Sequence, residues 1–153
     1  MGVYATPREI VDGLLTLLRA HTWTGTVVWR KGPQRAFQLG VGEDAIGFVR
    51  LAGSPEGEQS AGSGNHWWQW WDVNVALLVP DDSEDPDGVE DLRLDLMADM
   101  HECLHAINSR TLVGGAKCGR MKSVNLGIEE VVEGSKQYFR WAEWLLSWRT
   151  LRA

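Results

Sequence analysis

The stretch Trp67–Val79, WWQWWDVNVALLV, decides the fold because it carries the strongest strand signal in the chain. Alternate residues form one apolar face that only Gln69 interrupts, and the other face is half polar. Thirteen extended residues span about 43 Å at about 3.3 Å per residue. That length exceeds the diameter expected of a compact domain this small. We therefore expect a long strand or hairpin with one end projecting from the body.

The projecting end carries a cluster of tryptophans, and nine tryptophans occur in the whole chain. Two of the cluster, Trp68 and Trp70, fall on the half-polar face. One interpretation is that they cap the sheet under a loop. The other is that a second protein copy buries them, since large exposed apolar patches mark interaction sites. The second interpretation predicts an oligomer interface at these residues: Trp67, Trp68, Trp70 and Trp71.

The composition fits one domain, residues 1–153, without a membrane span or a disulfide framework. Of 153 residues, 44% are hydrophobic and 24% charged, an ordinary globular mixture. No apolar run approaches the roughly 20 residues of a transmembrane helix, and we expect no signal peptide. Two cysteines, Cys103 and Cys118, are too few for a disulfide scaffold. The net charge of −6 argues against a general nucleic-acid-binding protein, which needs a basic surface.

Helix and strand signals fill the rest of the chain. A helix is predicted at Thr6–Ala20, where Thr6 and Glu9 form a capping-box pattern, and a second at Val89–Ser109. Shorter strands are predicted at Thr26–Arg30, Ala45–Leu51, Lys122–Val132 and Gln137–Thr150. The last segment also has a helical apolar stripe, but its dense aromatic residues favour a strand. Together these elements predict an α+β fold, a mostly antiparallel mixed sheet with two helices packed on it.

Two loops stand out by composition. Residues 52–65 contain almost nothing that could enter a core, which predicts a mobile loop. The acidic loop at residues 81–91 holds seven carboxylates and no basic residue. A solvated loop before a helix N-terminus is the simplest interpretation, since carboxylates favour the positive end of the helix dipole. The ligand spacing of a calcium-binding EF-hand is absent.

A second motif, His101-Glu102-Cys103-Leu104-His105, has the H-E-x-x-H form and lies on a predicted helix. This spacing places two imidazoles on one helical face, with Glu102 able to act on zinc-bound water. Over these five residues the chain resembles the zincin metallopeptidases. A catalytic zinc also needs a third protein ligand, and the sequence offers Glu129, Glu130 or Glu133. A small zinc peptidase is therefore one alternative function.

The order of elements resembles the tail terminator and tail-completion proteins of long-tailed bacteriophages. The likeness spans nearly the whole chain, from the opening helix through the long strand, the acidic turn and the long helix. It continues through Leu112-Val113-Gly114-Gly115 to the closing strand pair, whose last member opens with Tyr138-Phe139-Arg140-Trp141. The tryptophan cluster and the acidic run contain more tryptophans and more carboxylates than the family pattern requires.

The resemblance implies a structural virion protein rather than an enzyme, with no cofactor and no metal. Such a subunit forms a ring, expected to be a homo-hexamer, that caps the tail tube and joins it to the head or neck. It would be made in the host cytoplasm and lie at the head-proximal end of the virion tail. Its partners would be the tail tube protein and head or neck connectors, with no membrane. Another neck or tail-tube connector is the remaining alternative.

The acidic loop has an expected role in such a ring. Like charge suppresses phosphate binding, so a carboxylate-lined channel would let DNA pass without specific binding. The residues predicted to face the channel are Asp81, Asp82, Glu84, Asp85 and Asp87.

Overall fold

The computed structural model describes residues 6–32, 39–53, 58–59, 67–106, 112–113, 116–130 and 137–152. Its helices are α1 (Pro7–Ala20) and α2 (Pro86–Ala106). Its strands are β1 (Val27–Lys31), β2 (Ala45–Gly53), β3 (Glu58–Gln59), β4 (Trp67–Pro80), β5 (Leu112–Val113), β6 (Ala116–Glu130) and β7 (Tyr138–Arg152).

Within the described residues the strands form one mixed sheet in the order β1-β2-β4-β7-β6-β5, and β3 also pairs with β4. The β1–β2 pair is parallel and every other pair is antiparallel. The longest pairing joins β4 and β7 from Trp67↔Arg152 to Pro80↔Phe139 without a register shift. The predicted α+β class, a mostly antiparallel sheet with two helices, is confirmed.

Most predicted elements are present, with corrections at their ends. The C-terminal segment is a strand, as the aromatic residues indicated. The second helix begins at Pro86 rather than Val89, so half of the predicted acidic loop is helical. Strand β6 begins six residues before Lys122. Inside the predicted 52–65 loop, Glu58 and Gln59 form β3.

Several predictions lie wholly or partly outside the described residues. They concern residues 54–57 and 60–65 of the predicted mobile loop, residues 107–109 at the end of the second helix, the Gly114-Gly115 break, and the turn before β7.

The core lies between one face of the sheet and the two helices. Alternation along β4 and β7 places Val75 directly opposite Trp144, and both are fully buried. The helices contribute the stripes that their spacing predicted. The core draws on both layers and includes Ile10, Leu14, Leu18, Val89, Leu96, Met100 and Cys103 from the helices, and Trp29, Val49, Val73, Val75, Leu77, Trp144, Leu146 and Trp148 from the sheet.

Helix α1 starts where its capping signals place it. The Thr6 hydroxyl accepts a hydrogen bond from the Glu9 backbone N–H, and the Glu9 carboxylate accepts one from Thr6 N–H. This reciprocal pair satisfies two otherwise orphaned donors. Near the other end, the Arg19 guanidinium donates to the Trp29 carbonyl at 2.8 Å. The helix is therefore fixed to β1 as well as packed on the core.

Two glycines make room for tryptophan rings across neighbouring strands. Gly47 lies opposite Trp29 in the β1–β2 pair, and Gly127 lies opposite Trp141 in the β6–β7 pair. A methyl group at either glycine would overlap the facing indole. A bare backbone is required there because the ring lies flat over the glycine, a cross-strand arrangement known to stabilise sheets.

We expect Gly47→Ala to destabilise the fold by about 1–3 kcal/mol, because Trp29 must leave its packed position. The matched control is Gly53→Ala on the same strand, where an added methyl meets nothing within 4 Å. The control should change stability by less than about 1 kcal/mol. Urea unfolding midpoints of the two variants measure the difference, and equal midpoints would contradict the close Trp29–Gly47 contact.

Candidate interaction surfaces

The tryptophan cluster lies at one end of the β4–β7 pairing. Residues Trp67–Trp71 pair with Trp148–Arg152, and β3 pairs with Trp67 and Trp68 on the other side. Trp71 is half-buried against the core, on the helix-covered face. Trp70 is half-buried on the opposite face. The side chains of Trp67 and Trp68 lie outside the described residues, so the predicted interface at these four residues stays a prediction.

The predicted channel-facing carboxylates have different local roles. Asp81 accepts a hydrogen bond from Arg140 Nε at 2.8 Å, which places it in an ion pair. Asp85 caps α2, because its Oδ1 accepts the Gly88 N–H at 3.1 Å. Asp82 accepts the Glu84 N–H. Asp82, Glu84, Asp85 and Asp87 are exposed, and whether they face a channel stays a prediction.

The acidic surface extends beyond the predicted loop, along the solvent side of α2. The four carboxylates on this side are Asp87, Asp91, Asp95 and Glu102, and all are exposed. The spacing of these carboxylates in the sequence predicts the acidic side of the helix. Successive members are four, four and seven residues apart, and residues at such spacings share one helical face. A helix predicted from Val89 leaves Asp87 in the loop, and its apolar stripe describes only the side that faces the core. The turn and α2 together therefore present one continuous negative surface.

Helix α2 is anchored to the sheet by a buried arginine. Arg93 Nη1 donates to the carbonyls of Gly127 and Trp141, at 3.1 and 3.3 Å, and its Nη2 donates to Glu90 at 2.7 Å. Glu90 in turn accepts from Arg140 Nη1 at 2.9 Å. Sequence reasoning missed Arg93, because one charged residue within an apolar stripe gives no sign of its tertiary partners.

The anchor shifts the pKa values of its members. The hydrogen bond from Arg93, assisted by one from Arg140, holds the pKa of Glu90 below its usual value although burial opposes this. The hydrogen bonds that Arg140 donates to the carboxylates of Glu90 and Asp81 raise the pKa of Arg140. The network therefore stays charged at neutral pH and contributes stability that depends on ionised carboxylates.

The H-E-x-x-H residues lie near the C-terminal end of α2, and His101, Glu102 and His105 are all exposed. His101 packs edge-on against Trp144, with ring centroids 6.0 Å apart. The indole Nε1–H of Trp144 donates to His101 Nε2 at 3.1 Å. While this hydrogen bond holds, the Nε2 lone pair is not available to a metal ion.

The third ligand needed by a zinc peptidase is not brought to the two histidines by the described backbone. Glu129 pairs with Phe139, five positions along β7 from Trp144, or about 17 Å at about 3.3 Å per residue. Glu130 is one position farther, and Glu133 lies outside the described residues. No cluster of three or more His, Cys, Asp or Glu side chains suited to a metal occurs in the described part of the chain.

Strand β6 carries an exposed apolar strip that sequence reasoning did not single out. Val124, Leu126 and Ile128 are 36%, 50% and 56% exposed, although they point to the same side of the sheet as the helices. Helix α2 packs mainly on β4 and β7, so these three side chains of β6 stay exposed. Leu94, also 50% exposed, lies one helical turn after Glu90 on the flank of α2 that faces β7 and β6.

No protein-family model matches the chain, and no curated protein matches it either. The helices of the described residues are all too short or too polar to span a bilayer.

We expect Glu90→Gln to destabilise the fold by about 1–3 kcal/mol at neutral pH, because two charge-assisted hydrogen bonds lose their acceptor charge. The folded pKa of Glu90 is lowered, so its contribution is present above the unfolded pKa and is lost as pH falls through the folded value. The stability gap to the wild type should therefore close below about pH 4. Thermal unfolding across pH measures this, with Asp95→Asn as an exposed control on the same helix. A gap that persists in acid would contradict the ionic role of Glu90.

Zinc analysis tests the peptidase alternative. We expect the purified chain to hold well under one equivalent of zinc, and His101→Ala to hold as little, because Nε2 of His101 is occupied by Trp144. Elemental analysis after dialysis against excess zinc gives the answer. Stoichiometric zinc that His101→Ala loses would contradict the prediction and restore the metallopeptidase hypothesis.

Proposed function

We propose that the chain is a structural subunit of a bacteriophage virion. In this proposal it forms a hexameric ring that terminates the tail tube and joins it to the head or neck. The observation that carries the proposal is a sheet too long for the helices that cover it. The resemblance in element order supports the family, and the surfaces of the fold support assembly.

The mismatch in length is large. Strands β4, β6 and β7 have 14, 15 and 15 residues, which corresponds to roughly 46–50 Å at about 3.3 Å per residue. Helix α2, the longer helix, has 21 residues and reaches only about 32 Å at 1.5 Å per residue. One chain therefore offers more sheet surface than its own helices can bury. In an assembly, neighbouring subunits would bury the remainder.

The distribution of charge supports contact between unlike surfaces. The acidic turn at residues 81–85 follows one end of β4, and the tryptophans lie at the other end. Basic residues occupy the register positions at that other end, namely Lys117 and Arg120 on β6 and Arg149 and Arg152 on β7. A ring requires two different, complementary surfaces on each subunit. The acidic surface of one copy and the basic, tryptophan-rich end of the next meet that requirement.

The acidic surface also suits a conduit for DNA. Seven exposed carboxylates lie on the turn and α2: Asp82, Glu84, Asp85, Asp87, Asp91, Asp95 and Glu102. A wall of this charge repels phosphates, so DNA would pass without being held. Electron microscopy of assembled rings tests the placement, and finding this surface on the outer rim would remove the conduit role. If the ring lies elsewhere in the neck or tail, the result would instead favour the alternative function, another neck or tail-tube connector.

We expect Trp68→Ser and Trp70→Ser to impair ring assembly more than folding, because the alternation of the strand places both residues on its half-polar face rather than on the core face. Trp148→Ser is the control for folding, since Trp148 is fully buried and its truncation should cost at least about 3 kcal/mol. Melting temperature and native mass spectrometry report folding and assembly separately. Parallel losses of both in the Trp68 and Trp70 variants would contradict an interface role.

A further inference from the structure

A cleft lies at the end of the sheet, where β4 passes into the acidic turn. Its volume is about 380 Å³, which is within the range of ligand sites in proteins. The described residues that line it come from the end of β4, the turn and the start of β7: Pro80, Asp81, Ser83, Gln137, Tyr138 and Phe139. A formed cavity therefore adjoins the most acidic segment of the chain.

Hydrogen bonds hold the two walls of the cleft together. The Asp81 backbone N–H donates to the Tyr138 carbonyl at 2.8 Å, and the Asp81 carboxylate accepts from Arg140 Nε at 2.8 Å. Within the turn, Asp82 Oδ1 accepts the Glu84 N–H at 2.9 Å. Because these walls are fixed before a ligand arrives, binding requires little further ordering of the chain.

The cleft lies in uncompensated negative charge. Four exposed carboxylates on the turn and the start of α2 form no ion pair within the described part of the chain: Asp82, Glu84, Asp85 and Asp87. Arg140 lies beside the cleft, but Asp81 and Glu90 already bind its guanidinium. A concave site with one sign of charge concentrates ligands of the opposite sign, so this cleft favours a cation.

The walls indicate which kind of cation fits. Asp81 carries the one carboxylate among the described lining residues, and Arg140 holds it, whereas Ca²⁺ takes about six to eight oxygen ligands. The lining instead combines Pro80 and two aromatic rings with the polar groups of Ser83 and Gln137. Such walls suit a charged group on an apolar stem, because the stem of lysine or arginine packs on apolar surface and aromatic rings attract its charge.

We propose that the cleft binds the side chain of a lysine or arginine on a partner protein. The stem lies against Pro80, Tyr138 and Phe139, and the charged head meets the carboxylates of the turn. The Ser83 hydroxyl, which also lines the cleft, is able to accept a hydrogen bond from the head.

A partner of different sequence is favoured, because the exposed cations of this chain are largely paired already in its described part. Arg8 and Lys31 are within ion-pair distance of Asp12, and Arg50 is within ion-pair distance of Glu143. The charge balance of the described residues thus leaves the acidic cleft to be neutralised from outside the chain.

The site does not depend on the proposed virion function. The ring contact proposed above joins whole charged surfaces of two copies, whereas the cleft holds one side chain of another protein.

A pair of peptides tests the proposal. Acetyl-Gly-Gly-Arg-Gly-Gly-amide is the probe, and the same peptide with citrulline is its uncharged control of nearly identical shape. We expect the arginine peptide to shift the amide NMR signals of Ser83, Gln137 and Phe139 with a dissociation constant in the millimolar range, and the citrulline peptide to shift none of them. No saturable shift with the arginine peptide, or equal shifts with both peptides, would overturn the proposal.

Two lysine substitutions separate the cleft from the general charge of the surface. Ser83→Lys puts an ammonium group into the cleft, and Ala98→Lys adds the same charge to the exposed side of α2. We expect Ser83→Lys to weaken peptide binding at least about tenfold, since like charges are then juxtaposed, and Ala98→Lys to weaken it less than about twofold. Circular dichroism checks that both variants are folded. Equal weakening by both would mean that the peptide responds only to overall charge, and would overturn the proposal.

Substitutions of Tyr138 test the aromatic wall. We expect Tyr138→Ala to weaken peptide binding about two- to fivefold, the effect of an exposed cation–π contact, and Tyr138→Phe to keep wild-type affinity because it keeps the ring. An alanine variant that binds as tightly as the wild type would overturn the placement of the stem against this ring.

Sedimentation velocity of the full chain without peptide tests for a different occupant. Self-association that Ser83→Lys abolishes and Ala98→Lys preserves would place a second copy in the cleft and overturn the assignment to a partner protein. Rings that still assemble when peptide binding fails would leave the virion proposal intact.

Discussion

The uninterrupted pairing of β4 with β7 is the constraint on which the rest of the structure depends. Fourteen consecutive residue pairs join the two strands. On the far side of β4 lie β2 and β3, and on the far side of β7 lies β6. Their alternation fixes which residues face the helices, because a slip by one residue would turn Val75 and Trp144 out of the core. The β1–β2 and β6–β7 pairs extend this central ladder. In each of them a glycine leaves room for the tryptophan ring on the neighbouring strand.

The placement of α2 follows from that ladder and explains the exposed surfaces. Its apolar stripe covers β4 and β7, and Arg93 fastens it to carbonyls of β6 and β7. The helix therefore does not extend over β6, so Val124, Leu126 and Ile128 remain exposed although they lie on the helix side of the sheet. Its solvent side and the preceding turn collect carboxylates, while basic positions gather at the far end of the sheet. The single chain is thus left with an acidic surface, a tryptophan-rich end and an apolar edge.

The sequence was most informative where local patterns govern structure. The alternation at Trp67–Val79, the capping box at Thr6 and the aromatic density of β7 all predicted the correct element. The Asp85-Pro86 pair is a helix-start signal, with Asp85 as the cap and Pro86 as the first helical residue. This signal alone would have placed the start of α2 correctly. The parallel β1–β2 pairing, the two-residue β3, the anchoring role of Arg93 and the bare face of β6 could not be predicted, because each depends on which strands become neighbours. The H-E-x-x-H motif lies on the helix that the apolar stripe predicted, but its five residues could not reveal that Trp144 donates a hydrogen bond to His101.

The central claim is that surfaces left bare by the single chain are covered by further copies of it. Oxidative footprinting of Trp70, measured at low and high protein concentration, tests this most directly, because a half-buried indole becomes fully protected only when another copy covers it. The account predicts that oxidation of Trp70 falls as concentration rises, while the fully buried Trp144 and Trp148 stay protected throughout. Equal oxidation of Trp70 at every concentration would contradict it.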